Sequence, residues 1–107
     1  MLFGRGPRMT AEHPRPSIVP AALFARFGKV RSPGSPALGL AWVAAGLADL
    51  AYYEMDFSAW GIAAGTLLCQ EAGLAVISEP PIAEGLSPRL LAGTPRLVAS
   101  VRSSLDL

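Results

Sequence analysis

Residues 32–54 read SPGSPALGLAWVAAGLADLAYYE, and the structure this stretch adopts decides the fold. Gly34, Ser35 and Pro36 supply a loop glycine, a hydroxyl able to cap a first helical turn, and a proline where its missing N–H costs nothing. A helix is predicted to start there. It is expected to run through ALGLAWVAAGLADLAYY, with Tyr52 and Tyr53 either ending it or beginning a strand that carries Glu54. The run is apolar on nearly every face until Asp49, the pattern of a helix buried on most sides or of a membrane span. A span is disfavoured: the uncharged stretch from Pro36 to Ala48 falls short of the roughly 20 residues a bilayer needs, and Asp49 interrupts it.

Toward the C-terminus, Ser58 can cap a second apolar helix, AWGIAAGTLLCQEAG, with Gly73 as its stop signal. Leu74 to Ser78 is predicted to be a short buried strand, EPPIAEG a turn-rich connection, and Leu90 to Ala92 a further strand. Thr94 and Pro95 repeat the cap-plus-proline start ahead of a last helix, RLVASVRSSL. Toward the N-terminus, Ile18 to Phe27 has apolar residues at helical intervals, Gly28 follows as a stop, and KVRS is strand-like. Residues 1–17 are rich in proline and arginine and lack the apolar run of a signal peptide, so an irregular leader is expected before a domain over 18–107. Helices alternating with strands predict an α/β layer structure rather than a bundle.

The chain has 107 residues, 9 Lys plus Arg against 8 Asp plus Glu, one His and one Cys, which is enough for one domain. A net charge of +1 with both signs interspersed argues against an electrostatically driven nucleic-acid binder. Cys69 alone excludes an internal disulfide, and with a single His it excludes an ordinary structural zinc site, so a cytoplasmic setting is expected. Only 16% of residues are charged and 51% are hydrophobic, more apolar than a free-standing domain of this size prefers, which points to surfaces that expect a cover.

Chemistry-bearing groups are sparse. Asp49, Glu54 and Asp56 crowd the stretch ADLAYYEMD, where carboxylates could hold Mg²⁺ or accept hydrogen bonds from a polyol, or simply line a solvated connection. His13, between Glu12 and Pro14, is read as a solvated loop histidine, and Cys69 as a buried inert thiol with no cation placed to activate it.

In order along the chain stand a Gly-Ser opening an Ala/Leu helix, V-A-A-G-x-x-D, Y-x-E, a W-x-x-A-A-G helix start, and E-A-G. From about Lys29 onward this combination resembles the C-terminal half of the inositol monophosphatase family of Mg²⁺-dependent, lithium-sensitive phosphatases. The resemblance implies the sheet-and-helix C-terminal half of a layered αβαβα fold, incomplete here. It implies that Gly34, Ser35 and Pro36 touch the alcohol part of the substrate and that Glu54 accepts hydrogen bonds from its hydroxyls. Asp49 matches an acidic position near the site, where a structural role is equally open, and Trp60 is expected to anchor packing. The aspartate that helps bind catalytic Mg²⁺ in the family is replaced by Gly61, which offers no oxygen ligand, and the glutamate pair and D-P-[IL]-D-G-T motif of the N-terminal half do not occur. The expectation is therefore a truncated phosphate monoesterase, inactive alone, whose substrate is a phosphorylated polyol and whose partner is a missing N-terminal half or a second copy. The alternatives are a non-catalytic domain that associates with a related protomer or binds a sugar phosphate and, further off, a small membrane hairpin.

Overall fold

The computed structural model describes residues 1–5, 25–54, 59–80, 88–105 and 107. Four strands, β1 (Leu2–Arg5), β2 (Leu50–Glu54), β3 (Ala75–Glu79) and β4 (Arg89–Gly93), form one sheet in the order β1-β2-β4-β3. β1 runs parallel to β2, while β4 is antiparallel to both of its neighbours. The central pair is buried along its whole length. That burial explains why LAYYE left strand and helix open as alternatives: a strand covered on both faces has no alternation of apolar and polar residues to announce it.

Helices α1 (Pro36–Ala44) and α2 (Ala59–Glu71) pack against each other, with α1 lying over β2 and α2 over β3. α3 (Pro95–Arg102) packs on β4 and β3 and continues into a 3₁₀ turn at Ser103–Leu105. Side chains of the strands alternate between two cores. Ala51, Tyr53, Leu90 and Ala92 meet Leu40, Val43 and Cys69 on one face, while Leu50, Tyr52 and Leu91 meet Val98, Val101 and Leu105 on the other. The result is a helix–sheet–helix layering, the α/β arrangement expected from the order of elements.

Of the three predicted cap signals, those at Ser35 and Thr94 form, and Ser58 lies outside the described residues. Ser35 Oγ accepts from the Leu38 N–H at 3.3 Å and Thr94 Oγ1 from the Leu97 N–H at 3.3 Å. The first helix, however, does not run on to Tyr53. It stops at Ala44, where Gly46 adopts φ +79° and the Leu47 N–H reaches back to the Trp42 carbonyl at 2.9 Å, a glycine-based stop inside what looked like a continuous apolar helix. Gly73 ends α2 in the same way, at φ +78°.

The N-terminal stretch also differs from expectation. Leu2–Arg5 is an edge strand, not irregular, because Leu2 is buried and the backbone pairs in register with Ala51–Glu54. Lys29–Ser32 forms only an isolated bridge, Arg31 to Leu2, instead of a strand. The predicted helix at Ile18–Phe27, apart from its last residues, lies outside the described residues, as do His13, Asp56 and Ser58. No described helix is long and apolar enough to cross a membrane.

Candidate functional site

Helix α1 starts on a tight loop in which Gly34 takes φ +83°, a conformation that glycine adopts without strain. A Cβ there would meet open space, and Gly34 itself is exposed. Of the donors in this first turn, Pro36 has none, Leu38 is capped by Ser35, and the Gly39 N–H bonds to the Ser35 carbonyl at 3.0 Å. The Ser35 hydroxyl oxygen accepts from the helix itself, while its O–H, like the backbone groups of the loop, can still donate outward.

Glu54 closes β2 and is only 6% exposed. Its carboxylate is turned to the face of the sheet that carries Tyr52, whose hydroxyl donates to Glu54 Oε1 at 2.5 Å. The body of α1 packs on the opposite face, against Tyr53. The described contacts therefore join Glu54 to Tyr52 and not to Gly34, Ser35 or Pro36. Asp49 is exposed in the turn before β2.

Sequence reasoning missed the side chain that organises this end of the sheet. Arg89 begins β4, directly across from Glu54 on one side and Glu79 on the other. Its guanidinium holds Glu79 in a forked ion pair, with Nη2 at 2.7 and 2.8 Å and Nε at 3.0 Å, and Nη1 donates to the Leu105 carbonyl. Arg89 also acts on the Tyr52 hydroxyl through its charge and a side-chain hydrogen bond. The signal was present in the sequence: a lone arginine opening the apolar run RLLAG must find a partner if that strand is central. Burial raises the Tyr52 phenol well above its ordinary value and the Glu54 hydrogen bond and charge raise it further, with Arg89 opposing.

Tyr53, on the other face, differs in kind. It is fully buried, its hydroxyl has no hydrogen-bond partner, and burial pushes its ionisation up to about 12. Cys69 is buried as expected, its thiol donating to the Leu40 carbonyl at 3.4 Å and raised by burial.

Gly61 lies within the first turns of α2. Among the described residues no three His, Cys, Asp or Glu side chains come close enough to share a metal ion. Glu54 is bonded to Tyr52, and Glu79 is committed to Arg89. These residues do not fit the Mg²⁺ that the resemblance implies.

The model of the inositol monophosphatase family matches residues 6–102. The inositol-1-monophosphatase SuhB of Mycobacterium tuberculosis (strain ATCC 25618 / H37Rv) is 41% identical over 77 residues, covering 72% of this chain and 26% of that protein. Nus factor SuhB of Escherichia coli (strain K12) is 36% identical over 85 residues, covering 78% of this chain and 31% of that one. Among solved structures, the extragenic suppressor protein suhB from Bartonella henselae superposes with a TM-score of 0.74 at 26% identity, over 98% of this chain and 41% of that one. The inositol monophosphatase from Anabaena (Nostoc) sp. PCC 7120 gives 0.72 at 26% identity, over 98% and 42%. The chain spans about a quarter to a third of the length of these curated relatives.

Proposed function

This chain belongs to the inositol monophosphatase family, and we propose that its 107 residues form the alcohol-recognising part of a phosphate monoester hydrolase acting on inositol phosphate or a similar phosphorylated polyol. The observation that carries this reading is the Glu54 carboxylate at the end of a central strand. Oε1 is held by Tyr52, and Oε2, which is not among the buried unpartnered atoms, is left to accept a further hydrogen bond. A carboxylate fixed in this way discriminates between alcohols by the hydroxyl it accepts from, since an analogue lacking that hydroxyl leaves a desolvated acceptor unpaired. The loop at Gly34, Ser35 and Pro36 offers donors at a helix start, and the family resemblance assigns it to the same alcohol.

The chemical step needs a hard cation and an activated water, and the described residues provide no set to hold such an ion, with Gly61 where the resemblance places an aspartate. We therefore propose that the chain alone binds the ester without cleaving it. Amide NMR of the purified chain titrated with inositol 1-phosphate tests the assignment. The expected shifts fall at residues 34–38 and around Glu54; shifts confined to other parts of the chain contradict it.

A second reading, association with a related protomer or with a separate N-terminal half, is favoured by the apolar outer surface of the α1/α2 layer. Leu38, Leu67 and Leu68 are 42%, 56% and 51% exposed there.

A further inference from the structure

The hydrogen bonds at the Glu54 end of the sheet form a chain across three strands: Glu79 on β3, Arg89 on β4, then Tyr52 and Glu54 on β2. Each link is constrained by the one before it. The forked ion pair fixes the plane of the guanidinium, the Leu105 carbonyl accepts a further guanidinium N–H, and the buried guanidinium bears on the phenol. The phenol has no rotational freedom of its own, because its ring is fully buried among Leu50, Leu91 and Val98. Its hydroxyl proton is directed at Glu54 Oε1.

We infer that Tyr52 is a positioning residue that turns Glu54 into a single-oxygen acceptor, so that the site recognises one hydroxyl of a phosphorylated polyol and does not grip a vicinal pair. An unrestrained carboxylate offers two equivalent oxygens and can take both hydroxyls of a diol. With Oε1 accepting from the phenol, Oε2 is the oxygen without a protein donor among the described residues, and the orientation of the carboxylate is set by a network that reaches as far as β3. This inference rests on the reading of Glu54 as a substrate acceptor given above, and goes further by stating which of its oxygens acts and what aims it.

The test compares affinities of the full 107-residue chain for two probes, inositol 1-phosphate and inorganic phosphate, by titration calorimetry or NMR. Three proteins are compared: the unaltered chain, Tyr52→Phe and Glu54→Gln. Tyr52→Phe keeps the buried ring and removes only the hydroxyl, and near-UV circular dichroism verifies that it folds. The ratio of the two affinities is the quantity read, because a loss of fold or of phosphate contacts lowers both affinities together. Glu54→Gln is expected to lower the ratio by about tenfold, the effect of one lost charged hydrogen bond, whereas Tyr52→Phe, which releases Oε1, is expected to make a second, adjacent ring hydroxyl contribute to binding. In the unaltered chain, analogues deoxygenated at single ring positions should show one sensitive position. Two adjacent sensitive positions in the unaltered chain, or a single one in Tyr52→Phe as well, overturn the positioning role and leave the acceptor role of Glu54 standing. A ratio unmoved in Glu54→Gln, or no binding of inositol 1-phosphate by the unaltered chain, overturns the proposed function and this inference with it.

Discussion

Tyr52 and Tyr53 are consecutive and equally buried, yet their hydroxyls face opposite cores in opposite circumstances. Tyr52 is bonded to Glu54, whereas the Tyr53 hydroxyl is left without a partner, so its burial works against the fold. Tyr53→Phe is accordingly expected to leave stability unchanged or to raise it by up to about 1 kcal/mol in urea denaturation. The pH dependence follows from the same burial. Below about pH 10 the folded and unfolded chains both keep the Tyr53 proton; between about pH 10 and 12 the unfolded chain releases it first, so stability falls as pH rises. That loss is of order 2 kcal/mol, and Tyr53→Phe should reduce the alkaline slope without abolishing it, since Tyr52 is raised as well. Gly39 of α1 permits the close approach, because a Cβ there would overlap the Tyr53 hydroxyl and stand 2.9 Å from its Cζ. Gly39→Ala should cost about 1–3 kcal/mol, and combining it with Tyr53→Phe should recover part of that loss, a coupling that a double-mutant cycle measures directly.

The elements most legible in the sequence were those with local chemistry at their ends. Ser35–Pro36 and Thr94–Pro95 marked helix starts because a hydroxyl and a proline act within a single turn, and Thr94→Ala should cost about 1 kcal/mol by thermal denaturation. Gly73 marked a helix end for the same reason. Gly46 acts identically but was hidden, since the apolar residues on both sides of it looked like one helix. β1 was hidden because its pairing is with residues about 49 positions away, and nothing local in MLFGR signals such a partner. In the candidate site, Glu54 is singled out only by the family resemblance, whereas Tyr52 and Arg89 become meaningful only once β2, β3 and β4 are laid side by side. Arg89→Leu would leave Glu79 unpaired and the Leu105 carbonyl without its donor. Glu79 retains some water, at 23% side-chain exposure, so the expected cost is about 2–3 kcal/mol, with faster amide exchange in the 3₁₀ turn at Ser103–Leu105.

At the scale of the molecule, the low charge of the composition takes a definite location. The central strands are covered on both faces, and among the described residues the large apolar side chains left exposed are Leu38, Leu67 and Leu68 on the α1/α2 layer and Leu47 in the turn after α1. Sedimentation velocity should show concentration-dependent association, and Leu67→Lys with Leu68→Lys should weaken it, since both side chains already reach solvent and their replacement leaves the cores intact. A monomer at every concentration would remove the association reading. The central proposal is that this family member binds the alcohol of a phosphate monoester and does not by itself hydrolyse it. Phosphorus-31 NMR of the purified chain with inositol 1-phosphate and Mg²⁺ follows both properties in one spectrum. The predicted result is an ester resonance shifted or broadened by binding, with no growth of inorganic phosphate. A sharp, unshifted ester signal, or inorganic phosphate accumulating in proportion to the chain and to Mg²⁺, would contradict it.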